Sequence, residues 1–160
     1  MRQIEIACFI LLFICGCAIT PNLSAPQRRA LQTRTFEKIT YDGVFKAFKT
    51  VLQDEGYIIQ NQDYKGGMIL ASVQKKYPSF PTIYFKDADY PIGEGFEVSI
   101  SLDEINQKKG IVETRLTIQK MEYFKKGTKQ GSEVVNEETY KNIYDKLLIE
   151  IERRKAMGRG

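Results

Sequence analysis

Two stretches of the chain repeat apolar side chains at helical spacing. In residues 41–56 (YDGVFKAFKTVLQDEG), Val44, Phe48, Val51 and Leu52, with Phe45 and Ala47, fill one broad stripe at i, i+4, i+7 and i+8. Thr40 or Asp42 can cap its start, and Gly56 suits the position just past its end, where φ is often positive. The second stretch, NEETYKNIYDKLLIEIERR, carries Tyr140, Ile143, Tyr144, Leu147 and Ile151 on one face, with Leu148 flanking. Asn136 is its N-cap, Glu137 and Glu138 lie in the first turn, and Arg153, Arg154 and Lys155 close the last. Each charge has the sign that the helix dipole favours.

Elsewhere the period is two. Phe96, Val98, Ile100 and Leu102 alternate with Glu97, Ser99 and Ser101; Val112, Thr114, Leu116 and Ile118 alternate with polar residues in the same way. Both segments predict half-buried strands with one apolar and one polar face. Residues 103–110 (DEINQKKG) form their polar connection, and residues 122–133 read as a turn-rich basic loop. Residues 34–39 have strand character through Thr35, Phe36 and Ile39. Residues 57–62 and 68–73 flank Asp63-Tyr64-Lys65-Gly66-Gly67 as a hairpin. A phosphate-cradling use of the Gly-Gly pair would need a helix to follow, and MILASV is strand-like. The expected fold class is α+β: a two-layer sandwich in the order β-α-β-β-(β)-β-β-α. Its two amphipathic helices pack on one face of an antiparallel sheet, and the other face meets solvent. The bracketed strand is an edge strand around Thr82 to Phe85.

The N-terminus follows a different logic. Arg2 precedes an unbroken apolar or sulfur-bearing run of nine residues, Ile6 to Ile14. As a helix that run spans about 14 Å, against roughly 30 Å of bilayer hydrocarbon, so it suits a signal-peptide core and not a permanent span. The run ends in Ile14-Cys15-Gly16-Cys17, which resembles the bacterial lipobox. The resemblance implies cleavage between Gly16 and Cys17 and a diacylglyceryl group on the Cys17 thiol, with a third chain usual. Two or more chains suffice for stable membrane attachment. It also implies a bacterial envelope location facing the periplasm. Ala18, where an Asp tends to retain such proteins in the inner membrane, favours the outer membrane. Cys8 and Cys15 then leave with the signal peptide, and the mature chain has neither a free thiol nor a disulfide. The expected map is a signal peptide at 1–16, the lipidated Cys17 and a flexible tether at 17–33, a single α+β domain at 34–155, and a basic tail at 156–160. The tether reading rests on Pro21, Pro26 and few large apolar residues; extended, Ala18 to Thr33 reaches at most ~55 Å.

Composition narrows the chemistry. The 160 residues include no His and no Trp, which removes Ser/His and Cys/His nucleophile pairs and His-containing zinc sites. No catalytic residue, metal site or cofactor is expected. The net charge of +4 equals that of Arg153, Arg154, Lys155 and Arg159, so the charge excess reads as a helix-end and fraying-terminus feature. Lys75-Lys76 and the Lys125-Lys126-Lys129 group lack the aromatic interleaving of a nucleic-acid groove, and no nucleic-acid partner is expected. Asp87, Asp89, Glu94 and Glu97 lack calcium-loop spacing and read as solvated acids.

One segment stands out as a partner-binding candidate. Residues 74–95 hold Pro78, Pro81 and Pro91 together with Tyr77, Phe80, Tyr84, Phe85 and Tyr90. Proline keeps such a segment out of a central strand, and aromatic side chains on loops are enriched in interfaces. The competing reading is that these aromatics cover the edge of the core. The element order over residues 34–155 resembles the helix-grip modules of BamC-like outer-membrane assembly lipoproteins, an analogy of architecture. The expected role is a non-enzymatic, lipid-anchored accessory module that binds another envelope protein through the Tyr77–Tyr90 segment or the polar sheet face. The alternative is a small-ligand or lipid carrier with a cavity between helices and sheet. Close packing of Phe45, Phe48, Leu52, Val98, Leu116, Ile118, Ile143 and Leu147 would argue against it.

Overall fold

The apolar stripes and alternating runs need each other: each buries only one side, so helices and sheet are stable only as two packed layers. The computed structural model describes residues 23–78 and 88–158 and has that arrangement. Its elements are helix α1 (Ala25–Gln32), strand β1 (Thr33–Phe36), helix α2 (Tyr41–Asp54), strands β2 (Ile58–Asp63), β3 (Met68–Lys76) and β4 (Pro91–Asn106), a 3-10 turn (Gln107–Lys109), strands β5 (Ile111–Phe124) and β6 (Lys129–Glu133), and helix α3 (Glu137–Ala156). The six strands form one antiparallel sheet in the order β1-β5-β4-β3-β2, with β6 also paired to β5. The first part of β5 pairs with β1 (Thr33↔Arg115 to Phe36↔Val112) and the last part with β6 (Gln119↔Glu133 to Tyr123↔Lys129). Two short strands thus share one edge of a long one.

α2 and α3 cover one face. Val44, Phe48, Leu52, Tyr140, Leu147 and Ile151 meet Ile69, Ala71, Val98, Ile100, Leu116 and Ile118 in one buried cluster. The caps follow the local chemistry. Thr40 Oγ1 accepts from the N–H of Gly43 at 3.0 Å and Asn136 Oδ1 from that of Thr139 at 3.2 Å, so each helix has a first-turn donor satisfied. In the β2–β3 turn, Asp63 Oδ1 accepts from the N–H groups of Lys65 and Gly66, both at 3.0 Å. Gly67 then takes φ +67°, where a Cβ would overlap the Leu102 carbonyl oxygen.

Four features depart from the expected pattern. First, residues 25–32 of the expected tether are helical. Gln27 Oε1 accepts from the Ser24 N–H and hydroxyl, both at 2.9 Å, Pro26 sits in the first turn, and Leu31 packs against the core. Second, the expected basic loop after Glu122 is the end of β5, a turn and β6. The sequence KQGSE has no alternation, and its extended form comes from pairing with β5. Third, Phe96 belongs to the apolar stripe of β4 yet is 37% exposed. It lies opposite Val73 and Lys120, one step past the buried pair Val98 and Ile118, where the helix layer no longer reaches. Fourth, the basic end of α3 is tied down. Glu150, 7% exposed, accepts from Arg153 at 2.6 and 2.8 Å and from Arg154 at 2.7 Å. Arg154 Nη2 also donates to Thr50 Oγ1 of α2 at 2.9 Å. The Arg153 hydrogen bond holds the Glu150 carboxyl below the usual carboxylate range. The cluster joins the two helices instead of fraying. The expected edge strand around Thr82 to Phe85 lies outside the described residues.

Candidate interaction surfaces

With both large helices on one side, the opposite sheet face stays open. Register places Ser99 and Ser101 of β4 beside Thr117 and Arg115 of β5 on one side and Leu70 and Met68 of β3 on the other. Short polar side chains thus occupy the middle, and Ile58 (69% exposed), Met68 (54%) and Leu70 (39%) form an apolar flank towards β2. At the other flank Lys129 of β6 reaches Glu97 of β4 at 2.8 Å, spanning β5 on the face that holds Met121. The hydrogen bond to Glu97 raises the Lys129 pKa, and burial raises that of Tyr123. Met121, though on the open face, is only 4% exposed.

The chain enters the domain beside this face. α1 and the sheet bound a groove of about 1140 Å³, lined by Arg28, Arg29, Asp103, Glu113, Arg115 and Glu133 among others. Its wall is held by Gln32, which is 3% exposed. Gln32 Oε1 accepts from Arg115 Nε at 3.2 Å and Nη2 at 3.0 Å, while its Nε2 donates to Glu133 Oε1 at 2.5 Å. Glu133 also meets Arg28 at 3.3 Å. The Gln32 backbone oxygen accepts from the Tyr144 hydroxyl at 2.5 Å, and burial pushes that phenol up to about 12. Gln32 therefore couples α1 to β5 and β6 through its side-chain amide and to α3 through its backbone oxygen. Gln32→Ala is expected to cost about 1 kcal/mol, because the buried amide's hydrogen bonds to Arg115 and Glu133 are lost while both partners can turn to water and the Tyr144 bond to the backbone oxygen remains. Amide exchange should accelerate in residues 25–32 more than in α2; equal acceleration in both helices would disprove a local role for Gln32.

The sequence-predicted aromatics are divided. Tyr77 continues the β3–β4 pairing: its N–H donates to the Ile92 oxygen at 2.9 Å. Desolvation raises its phenol pKa, as does the Glu94 carboxylate to which it hydrogen-bonds. Glu94 in turn pairs with Lys120 at 3.0 Å, and that hydrogen bond lowers its pKa. The Tyr90 backbone oxygen accepts from the Lys125 N–H at 3.0 Å, and the Lys125 ammonium lies 5.2 Å from the Tyr90 ring centroid. Asp89 accepts from the Lys126 N–H and the Thr128 hydroxyl, both at 3.0 Å, fixing the β5–β6 turn. Both flanks of the segment are thus held at the end of the sheet that the helices leave uncovered. Phe80, Tyr84, Phe85 and Asp87 lie outside the described residues, as do Gly16 and Cys17.

The neighbouring carboxylates are dispersed to separate tasks. Asp89 holds a turn, Glu94 pairs with Lys120 and Glu97 with Lys129. Among the described residues no group of three His, Cys, Asp or Glu side chains could hold a metal ion, and no helix is long and apolar enough to cross a membrane. Sequence reasoning missed the Gln32 network. Its available signals were the Ser24-x-x-Gln27 cap and Pro26; the packing that buries Gln32 had none. No protein-family model matches the chain, and no curated protein is significantly similar to it.

Proposed function

We propose that this protein is a lipid-anchored envelope lipoprotein, facing the periplasm, that acts as a non-enzymatic binding module for another envelope protein. The supporting observation is the open sheet face: six strands carry helices α2 and α3 on one side, while the other exposes Ile58, Met68 and Leu70 beside a row of Ser and Thr. Exposed apolar groups rimmed by polar ones suit a protein partner. The carrier reading is less favoured. Phe45, Phe48, Leu52, Val98, Leu116, Ile118, Ile143 and Leu147 are each no more than 7% exposed and pack into one cluster, filling the place a ligand would take.

The N-terminal segment supports the anchor through Gly16 and Cys17. Because α1 begins at Ala25, only residues 18–24 separate it from Cys17. Seven extended residues reach at most ~25 Å, so the domain is held within about its own diameter of the membrane.

Two experiments test the reading. Cys17→Ser is expected to leave an uncleaved precursor and abolish lipid labelling; persistent labelling overturns the anchor. A photocrosslinking residue at Ser99 should yield one discrete protein adduct in intact cells, and the same residue at Lys141, on exposed α3, none. Equal patterns from the two sites would remove the sheet face as the contact surface.

A further inference from the structure

The sheet ends in an open edge. β2 is the last strand in the order β1-β5-β4-β3-β2, so its outer backbone groups have no sheet partner. Helix α2 runs beside that edge. Between them lies a groove of about 420 Å³, lined by Lys49 and Gln53 of α2 and by Ile59, Gln60, Asn61 and Gln62 of β2. A strand edge with a helix alongside can receive an extended segment of another chain: the strand supplies main-chain hydrogen bonds and the helix supplies side-chain selection.

The lining specifies the occupant. Ile59 is half-buried and packs against the core, giving the groove an apolar patch. Gln53, Asn61 and Gln62 offer neutral amides, the Gln60 amide is held by Ser72 Oγ at 3.0 Å where the β2 register shifts, and Lys49 is the one charge in the lining. Of the acids close by in sequence, Glu55 pairs with Lys146 at 2.6 Å and Asp63 holds the β2–β3 turn. Among the described residues Lys49 has no ion-pair partner within 4.0 Å. We infer that the β2 edge accepts an extended, proline-free segment of a partner protein as a further strand, with an acidic side chain of that segment directed at Lys49. A second copy of this chain fits less well, since pairing two β2 edges brings two Lys49 cations to one seam with no acid in the lining to separate them.

The inference rests on the protein-binding reading and names a surface and a recognition mode for it. The test uses the detergent-solubilised full chain and three synthetic peptides, Ser-Val-Thr-Val-Xaa-Val-Thr-Ser, with Glu, Lys or Pro at Xaa. The Glu peptide is expected to slow amide exchange in residues 58–63 and the Pro peptide to leave it unchanged. Lys49→Glu, a surface change compatible with folding, should weaken the Glu peptide about tenfold and favour the Lys peptide instead. Equal protection by all three peptides, none by any, or concentration-dependent protection of 58–63 without peptide would each overturn the inference; the last would assign the edge to self-association. If the Ser99 crosslink persists while residues 58–63 stay unprotected, only the edge inference fails. Protection of 58–63 without a Ser99 adduct removes the open face and leaves the edge.

Discussion

Phe48→Ala is expected to lower the free energy of unfolding by about 3–5 kcal/mol, a large share of the roughly 5–15 kcal/mol that holds a domain of ordinary stability together. Phe48 is fully buried in the middle of α2, in the cluster shared with α3 and the sheet. Truncation removes its transfer free energy and leaves a cavity that two rigid layers cannot collapse to fill. Urea unfolding followed by far-UV circular dichroism measures the loss, with Lys141→Ala on exposed α3 as a control expected within about 0.5 kcal/mol of the parent. A Phe48→Ala loss below about 1 kcal/mol would contradict a packed interior, and would return attention to a carrier with room between helices and sheet.

The second large effect is expected from Gly95→Val. Gly95 is buried in β4 opposite Gln74 and Met121, and a Cβ there would overlap the Val73 carbonyl oxygen of β3. The obstacle is backbone, which cannot swing aside as a side-chain end can. The variant must open the β3–β4 pairing at Val73 to Lys76, with an expected cost above about 2 kcal/mol. Exchange of the amides at 73–76 should rise well beyond that at 69–71. Gly127→Ala makes the contrast. That turn glycine has φ +84° and open space around it, so its cost of about 1 kcal/mol is conformational alone. If the two variants prove equally mild, the close approach of β3 and β4 is not a constraint on the fold.

The contrast between these positions runs through the whole chain. α2 and α3 were legible because a helix buries a periodic stripe and its ends carry recognisable caps, here Thr40 and Asn136. β5 was legible over Val112 to Ile118 because alternate residues face a covering layer there. Phe96 breaks the rule. Its place in the stripe is correct, but exposure depends on where the helices stop, and no local pattern encodes that length. β6 was illegible for the converse reason: a polar pentapeptide becomes a strand only because β5 offers an unpaired edge beyond β1. Helix α1 is intermediate. Its cap was written at Ser24 and Gln27, yet its docking depends on Arg115, Glu133 and Tyr144, which lie about eighty or more residues away.

The candidate surfaces divide in the same way. The proposed lipidation at Cys17 rests on the sequence, because the processing chemistry of a lipobox would recognise a linear segment. Tyr77 and Tyr90 were named from the sequence, but their anchoring through Ile92 and Lys125 belongs to the folded sheet end.

What the sequence by itself determined is the class of the domain, its two principal helices, its polar and apolar strand faces, and the absence of histidine chemistry. These follow from periodicity and composition, which are local. Tertiary structure alone decided which edge stays open, how far the helix layer extends, that Gln32 is a buried junction, and that the basic helix end is a staple between α2 and α3. Each of these depends on groups distant in the chain meeting in space, and burial, hydrogen-bond satisfaction and charge pairing are properties of that meeting.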